Sequence, residues 1–518
     1  MINTTPSLLL KFDNNVTYLE GRLDSDTYSE FKKQLGYYPE EANYIIRTVQ
    51  AREEMKERLG LKSSQFKKDW DGLITTVCYN KKFCRCFNPK GGTHFPTGLL
   101  YSARKFLQEK GLDVKIQDIR LRPDRNVGSF QMTSLYEHRP YQIQVVEDAI
   151  EKNRGIIKMA TGGGKTACIC KLVADLGVFP LVIYVTSVDL LYQMKNELEK
   201  FITKNGEKIE VGIAGDSKKD IKDITIMTIQ TAVIALGGTY KKYDDEERKQ
   251  QIEKFDKEDG EIKDTIKNAR LIICDEVQHW ASETCQMISD ASDKAYYRFG
   301  MSATPYRDSN DDILIEGCFG RMISNINASY LIEHNYLVAP HIYFIDIHHK
   351  MKWSGYPKVY KHGIVENELR NEYIRSVCEM LTDDNRNILI LCKQISHGEI
   401  LQSMIPNSTF LHGVHSSKQR GVHLEKMRQK EAGVTLATSI FDEGIDVSAL
   451  DALVLAGSGK SATRALQRIG RILRPYPNKK DAIVIDFMDN YKYLKQHSLK
   501  REKIYKTEPK FEIERLKI

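Results

Sequence analysis

The sequence predicts an α/β protein: two tandem α/β domains with parallel sheets, preceded by a small α+β domain. Three observations carry that expectation. Apolar runs of strand length alternate with amphipathic helices from about residue 131, and the same rhythm starts again near 340. The runs are nearly continuous in Ile, Val and Leu, as strands covered by helices on both faces must be. Before residue 131 the texture differs, with short strand-like runs among charged helical stretches.

Taken in order, residues 1–130 offer "SLLLKF", "GLITTVCY" and "KIQDIRL" as strands and a charged helix around 41–59. "TGLLYSARKFLQEKG" reads as an amphipathic helix closed by Gly111, and "RPDRNVGS" as a polar link. Within 131–328, "GIIKMA", "LVIYVT", "ITIMTI", "RLIICDE" and "YYRFGMSA" are the expected strands. A charged stretch at 240–269 interrupts them and reads as a surface insertion, either helical or a loop. Within 329–490 the strands are "HIYFIDI", "NILILCK", "STFLHG", "GVTLATS", "ALVLAG" and "AIVIDF". Residues 491–518 read as a basic, aromatic tail without a core.

Of the 518 residues, 41% are hydrophobic, enough for several domains with real cores. Lys and Arg number 77 against 70 acidic residues, a net charge of +7 that permits a nucleic-acid partner without demanding one. Ten scattered cysteines fit a reducing cytoplasm. Cys78, Cys84, Cys86 and His94 lie close together, but their spacing fits no common zinc pattern. The N-terminus lacks a basic region before its short apolar run, and no stretch reaches the roughly 18–20 apolar residues of a membrane span. An intracellular protein without a membrane segment is expected.

Two constellations point to nucleotide chemistry. In "GIIKMATGGGKTACIC" a strand, a turn of Gly162, Gly163 and Gly164, and a helix follow one another. Backbone N–H groups of such a turn wrap phosphates at a helix N-terminus; Lys165 would reach the β- and γ-phosphates, and Thr166 would hold Mg2+. Met159 stands where the pattern usually has Gly or Ala. "RLIICDEVQHW" is a strand ending in paired carboxylates. There Asp275 is placed to hold Mg2+ through water and Glu276 to polarise an attacking water. Together they predict an NTPase.

Further segments follow in order: "RPYQ" (139–142), "TIQTA" (228–232), "GMSATP" (300–305), "TSIFDEGIDV" (438–447) and "QRIGRILRP" (467–475). In the last, Arg471 and Arg474 are spaced to share a helix face, with no acidic neighbour in sequence. This order resembles the superfamily 2 helicases over about residues 135–490. The resemblance implies ATP bound in a cleft between two RecA-like domains. It makes Gln142 an adenine reader with Tyr136 as stacking partner, and places Arg139 and Thr161 among the nucleotide contacts. Asp275 and Glu276 match motif II, written D-E-V-Q here rather than D-E-A-D or D-E-x-H. Gln278, Ser302 and Thr304 become coupling residues, Gly444 and Asp446 motif V, and Gln467, Arg471 and Arg474 motif VI. On that reading the arginines answer the γ-phosphate, so that hydrolysis is tied to domain closure.

The same architecture implies a nucleic-acid strand gripped through its phosphates, with Thr186, Thr228, Thr231, Thr438 and Ser439 as contacts and helix capping as the alternative. Residues 1–130, through Trp70, Asp71, Gly72, Pro96 and Gly98, resemble the N-terminal domain of UvsW-like phage recombination helicases. That resemblance implies branched or duplex DNA, or an RNA–DNA hybrid, as substrate: forks, Holliday junctions, D-loops or R-loops. Recombination or replication proteins are the implied partners, a monomer the expected state, and a phage or bacterial host cytoplasm the setting. An RNA helicase, or an ATP-switched remodelling subunit that separates no strands, are the alternatives.

Overall fold

The computed structural model describes residues 8–40, 42–59, 61–78, 92–238, 260–306, 309–415, 417–438, 447–457, 459 and 461–516. They fall into two compact units. One comprises Met1–Lys158 and Lys165–Asn325; the other comprises Ile326–Ile518 and the short segment Met159–Gly164.

The first unit opens with a four-stranded sheet of β1 (Leu8–Phe12), β2 (Val16–Glu20), β3 (Thr93–Pro96) and β4 (Val114–Asp118), ordered β3-β2-β1-β4. Strict alternation along β1 buries Leu8, Leu10 and Phe12 on one face. Helices Ser25–Gln34 and Leu100–Glu109 cover that face with Phe31, Ala103 and Leu107. Gly111 follows the second helix at φ +75°, the left-handed turn a C-terminal glycine supplies. The expected strand in "GLITTVCY" is reduced to Ile74–Thr75, and the charged helix runs Ala42–Arg58.

The main sheet of this unit has eight strands: β5 (Arg154–Met159), β6 (Leu181–Val185), β7 (Gly212–Gly215), β8 (Lys218–Asp220), β9 (Ile224–Thr228), β10 (Leu271–Asp275), β11 (Tyr297–Ser302) and β12 (Met322–Ile326). Their order is β8-β7-β9-β6-β10-β11-β5-β12. The pairings from β7 across to β5 are all parallel. β6, β9 and β10 are buried along their whole length, which explains their unbroken apolar sequences. In the insertion, Glu261–Asn268 is helical and buries Ile262 and Ile266; residues 240–259 lie outside the described residues.

The polar link after the first sheet is fastened to this sheet's helices. Arg125 donates to the carbonyls of Leu176 and Asp175 at 3.1 and 2.8 Å. The Arg120 guanidinium lies 4.9 Å from the Phe12 ring and 4.4 Å from that of Tyr296. Residues 1–130 and the first α/β sheet therefore form one packed unit, where the sequence suggested a separating link.

The second unit holds seven strands: β13 (Pro340–Ile347), β14 (Ile388–Leu391), β15 (Thr409–Leu411), β16 (Val434–Ala437), β17 (Ala452–Val454), β18 (Ala482–Asp489) and β19 (Glu512–Leu516). They are ordered β15-β16-β14-β17-β18-β13-β19, and every neighbouring pair is parallel. The last strand corrects the reading of 491–518 as a tail without a core. Helix α1 (Lys492–Tyr505) packs against β18, and β19 adds to the sheet edge beside β13. Arg501, Tyr505 and Asp486 are all essentially buried. Arg501 meets Asp486 with two hydrogen bonds of 2.8 and 2.9 Å, and Tyr505 donates to the same carboxylate at 2.9 Å. The basic residue that looked like a solvated charge closes a buried ion pair. Among the described residues no helix is long and apolar enough to cross a membrane.

Candidate active site

At the end of β5 the chain turns through Gly162 and Gly164, both at φ +85°, a backbone that side-chain-bearing residues rarely adopt. Lys165 then opens the helix Lys165–Leu176, with Thr166 beside it. Met159, where a small residue was expected, is buried; a Cβ on Gly163 would fall 2.6 Å from its Cγ. The methionine fits because Gly163 has no side chain.

The Lys165 ammonium bridges both carboxylates at the end of β10, 2.8 Å from Glu276 Oε1 and 3.2 Å from Asp275 Oδ1. Burial works to discharge this lysine, but Asp275 and Glu276 together hold its pKa above the ordinary value. Burial raises the pKa of Asp275. Against the same cost of burial, Lys165 and the Gln278 amide hold the pKa of Glu276 low.

Glu276 sits in the left-handed region at φ +50°, strained for a residue with a side chain. The turn after it, Val277–Ala281, is anchored by Trp280, which is fully buried edge-on against Tyr184 and Phe319. This anchoring presents Gln278, whose Nε2 donates to Glu276 Oε2 at 2.8 Å. Ser302, at the end of β11, donates to Gln278 Oε1 at 2.6 Å, and its hydroxyl accepts the Thr304 N–H at 3.0 Å. One continuous hydrogen-bonded chain thus runs from Lys165 through Glu276 and Gln278 to Ser302 and Thr304. The sequence named all five residues; the serial connection is a product of the fold.

Gln142 is fully buried in the first turn of helix Pro140–Lys152. Its Oε1 accepts the Arg139 backbone N–H at 3.0 Å and the Tyr136 hydroxyl at 3.2 Å, while Arg139 donates through Nη1 to the Tyr141 hydroxyl at 3.0 Å. Tyr136 packs edge-on against His138 and Phe201. These contacts fix the segment's shape and tie Gln142 to a capping role.

The residues expected to grip a strand divide. Thr228 caps helix Ile229–Ala235: its hydroxyl accepts the Thr231 N–H at 3.2 Å and lies 2.8 Å from the Thr231 hydroxyl. Both are buried, as the capping alternative requires. Thr186 is half-buried at the end of β6, and Thr438 is buried after β16. Ser439, Gly444 and Asp446 lie outside the described residues.

In the second unit, helix Ala462–Ile472 carries Gln467 and Arg471. It ends at Ile472, so Arg474 lies in the turn beyond it, where the spacing predicted one continuous helix face. Burial lowers the pKa of the Arg474 guanidinium.

A phosphate-type turn, a lysine bridging two strand-end carboxylates and a second parallel sheet with an arginine-bearing helix define a nucleotide-hydrolysing motor. Residues 135–307 match the family of the type III restriction enzyme res subunit, and residues 372–476 match the helicase conserved C-terminal domain. The chain is a superfamily 2 helicase, an ATP-dependent enzyme. It is similar to the DNA 3'-5' translocase XPB2 of Sulfurisphaera tokodaii, 25% identical over 74% of this chain and 88% of that protein. It is also similar to the ATP-dependent DNA helicase uvsW of Enterobacteria phage T4, 23% identical over 82% of each. Among solved structures, the ATP-dependent Type ISP restriction-modification enzyme LlaBIII bound to DNA shares the fold at a TM-score of 0.51 and 15% identity. That match covers 80% of this chain and 34% of the other.

Proposed function

We propose that this helicase uses Mg2+ and ATP to move on, and remodel, branched DNA in recombination and repair. The observation that carries the motor reading is the hydrogen-bonded chain from Lys165 to Thr304. Its donor set fits a magnesium nucleotide: an ammonium at a helix N-terminus for phosphate oxygens, and a hydroxyl with two carboxylates for a divalent cation. Bound Mg2+ would neutralise charge on the phosphate oxygens, held by Thr166 and Asp275.

Lys165 holds the phosphates, and Glu276, kept ionised, orients and deprotonates the attacking water. When the phosphates draw Lys165 toward them, Glu276 exchanges a partner while Gln278 keeps its grip. Any movement of Glu276 is then felt at Ser302 and Thr304, which couples hydrolysis to motion at the strand ends. Arg471 and Arg474 stabilise the charge of the transferred phosphoryl group, and Gln142 and Tyr136 receive the base.

DNA as the polymer is supported by both relatives, one a DNA translocase and the other a DNA helicase. The choice of branched DNA rests on residues 1–130, whose W-D-G and P-x-G-L turns resemble the UvsW-like N-terminal domain. The test is the steady-state ATPase rate with single-stranded DNA, duplex DNA, a four-way junction, an R-loop and structured RNA at one salt concentration. Strongest stimulation by the junction or the R-loop is expected. Stimulation by RNA alone would overturn the proposal in favour of an RNA helicase.

A further inference from the structure

Between β13 and the helix Glu368–Asp383, residues 348–365 contain four lysines and no acidic residue. Residues 490–500, leading into and along α1, contain three lysines and again no acidic residue. All seven lysines are exposed. The fold of the second unit brings these two segments together, although they lie far apart in sequence.

Their junction is built on Trp353. Its carbonyl accepts the Tyr491 hydroxyl at 3.0 Å and the Lys492 ammonium at 2.9 Å, so α1 pins the loop that bears the indole. His362 stacks on the indole with ring centres 4.3 Å apart and planes 16° from parallel. One face is thereby covered, yet 42% of Trp353 still meets solvent. Beside it Tyr356 packs edge-on to Tyr493, which is 43% exposed. Lys393 lies 5.4 Å from the centre of the Tyr356 ring.

A large aromatic residue held rigid and left in water costs stability, and the exposed lysines of the two segments that meet at it favour a polyanion. The carboxylate of Glu366, just beyond the first segment, already meets Lys361 and His362 at 3.2 and 3.0 Å. A flat aromatic face framed by ammonium groups matches an unstacked base flanked by phosphates. In duplex DNA the base faces are stacked on one another and offer no partner to an indole.

We propose that Trp353, backed by His362 and joined by Tyr493, Lys352, Lys358 and Lys492 of the two segments that meet there, is a stacking platform for single-stranded nucleic acid. The inference rests on the helicase reading, and gives it a place to hold a strand once that strand has left its duplex.

The test compares the full-length chain with its Trp353→Ala and Tyr493→Ala variants. Binding of a labelled oligothymidylate and of a blunt duplex is measured by anisotropy at one salt concentration. Thermal unfolding midpoints serve as the folding control. Trp353→Ala should weaken single-strand binding by about tenfold or more, as loss of one stacked base predicts, and leave duplex binding unchanged. Of the three tryptophans Trp280 is fully buried, Trp70 half-buried and Trp353 exposed; oligothymidylate should quench the wild-type fluorescence, and Trp353→Ala, which keeps Trp70, should lose that quench. Equal single-strand affinity in variant and wild type would overturn the platform, as would equal loss for both nucleic acids. A wild-type chain that binds no nucleic acid would instead sink the helicase reading beneath it.

Discussion

Lys165 and Arg474 are the two cations proposed to serve the motor, and their surroundings differ. Lys165 is locked between two carboxylates at 2.8 and 3.2 Å. Lys165→Ala leaves two buried carboxylates facing each other and should abolish ATP turnover, with DNA affinity at fixed salt largely retained. Arg474 sits in the turn past its helix, where burial makes its charge costly to hold. Arg474→Ala should spare nucleotide binding and lower kcat by about tenfold or more, the usual scale for a charge that acts in the transition state. Nucleotide affinity from a fluorescent analogue, alongside single-turnover hydrolysis, separates the two variants. Normal hydrolysis by Arg474→Ala would remove it from the catalytic set. The sequence singled these residues out because phosphate chemistry demands fixed spacings. The left-handed backbone of Glu276 was not, since nothing in "CDEVQ" announces it.

At the scale of elements, α1 and β19 show where composition misleads. "YKYLKQHSLKREKIYK" is rich in lysine and tyrosine, and its charged face is solvated as expected. Its other face places Leu494, Ser498, Arg501 and Tyr505 inward, where Arg501 is matched by Asp486 from the neighbouring strand. A buried arginine looks like any other arginine until its partner is known. Arg501→Ala would strand the Asp486 carboxylate, and breaking such a pair costs about 3–5 kcal/mol. Denaturant unfolding should show that loss, and limited proteolysis should cut within 491–516 in the variant before it does so in the wild type. Unchanged stability would mean that the pair is dispensable to the docking of α1.

At the scale of the whole molecule, residues 1–130 form a structural part of the first unit. Gly98 marks a close approach: a Cβ there would fall 1.9 Å from the Glu316 carbonyl oxygen, a clash with backbone that no rotamer relieves. The Asn14 and Asn15 amides add hydrogen bonds of 2.9 and 2.8 Å to the carbonyls of Asp293 and Asp290. Gly98→Ala should loosen this docking, and faster amide exchange along helix Asp312–Phe319 would report it; unchanged exchange would show that the interface yields without cost. A junction-stimulated ATPase that weakened in the same variant would tie this N-terminal part to the choice of substrate.

By itself, the sequence determined the two parallel sheets and the nucleotide chemistry. Buried strands must be apolar throughout, and a phosphate turn tolerates few residues, so both leave local marks. Tertiary structure alone decided what depends on partners distant in sequence. It paired Arg501 with Asp486, fastened the polar link, ended the motif VI helix before Arg474 and set Trp353 beside Tyr491 and Lys492. Each of these depends on the path of the chain through space, and no local pattern encodes it.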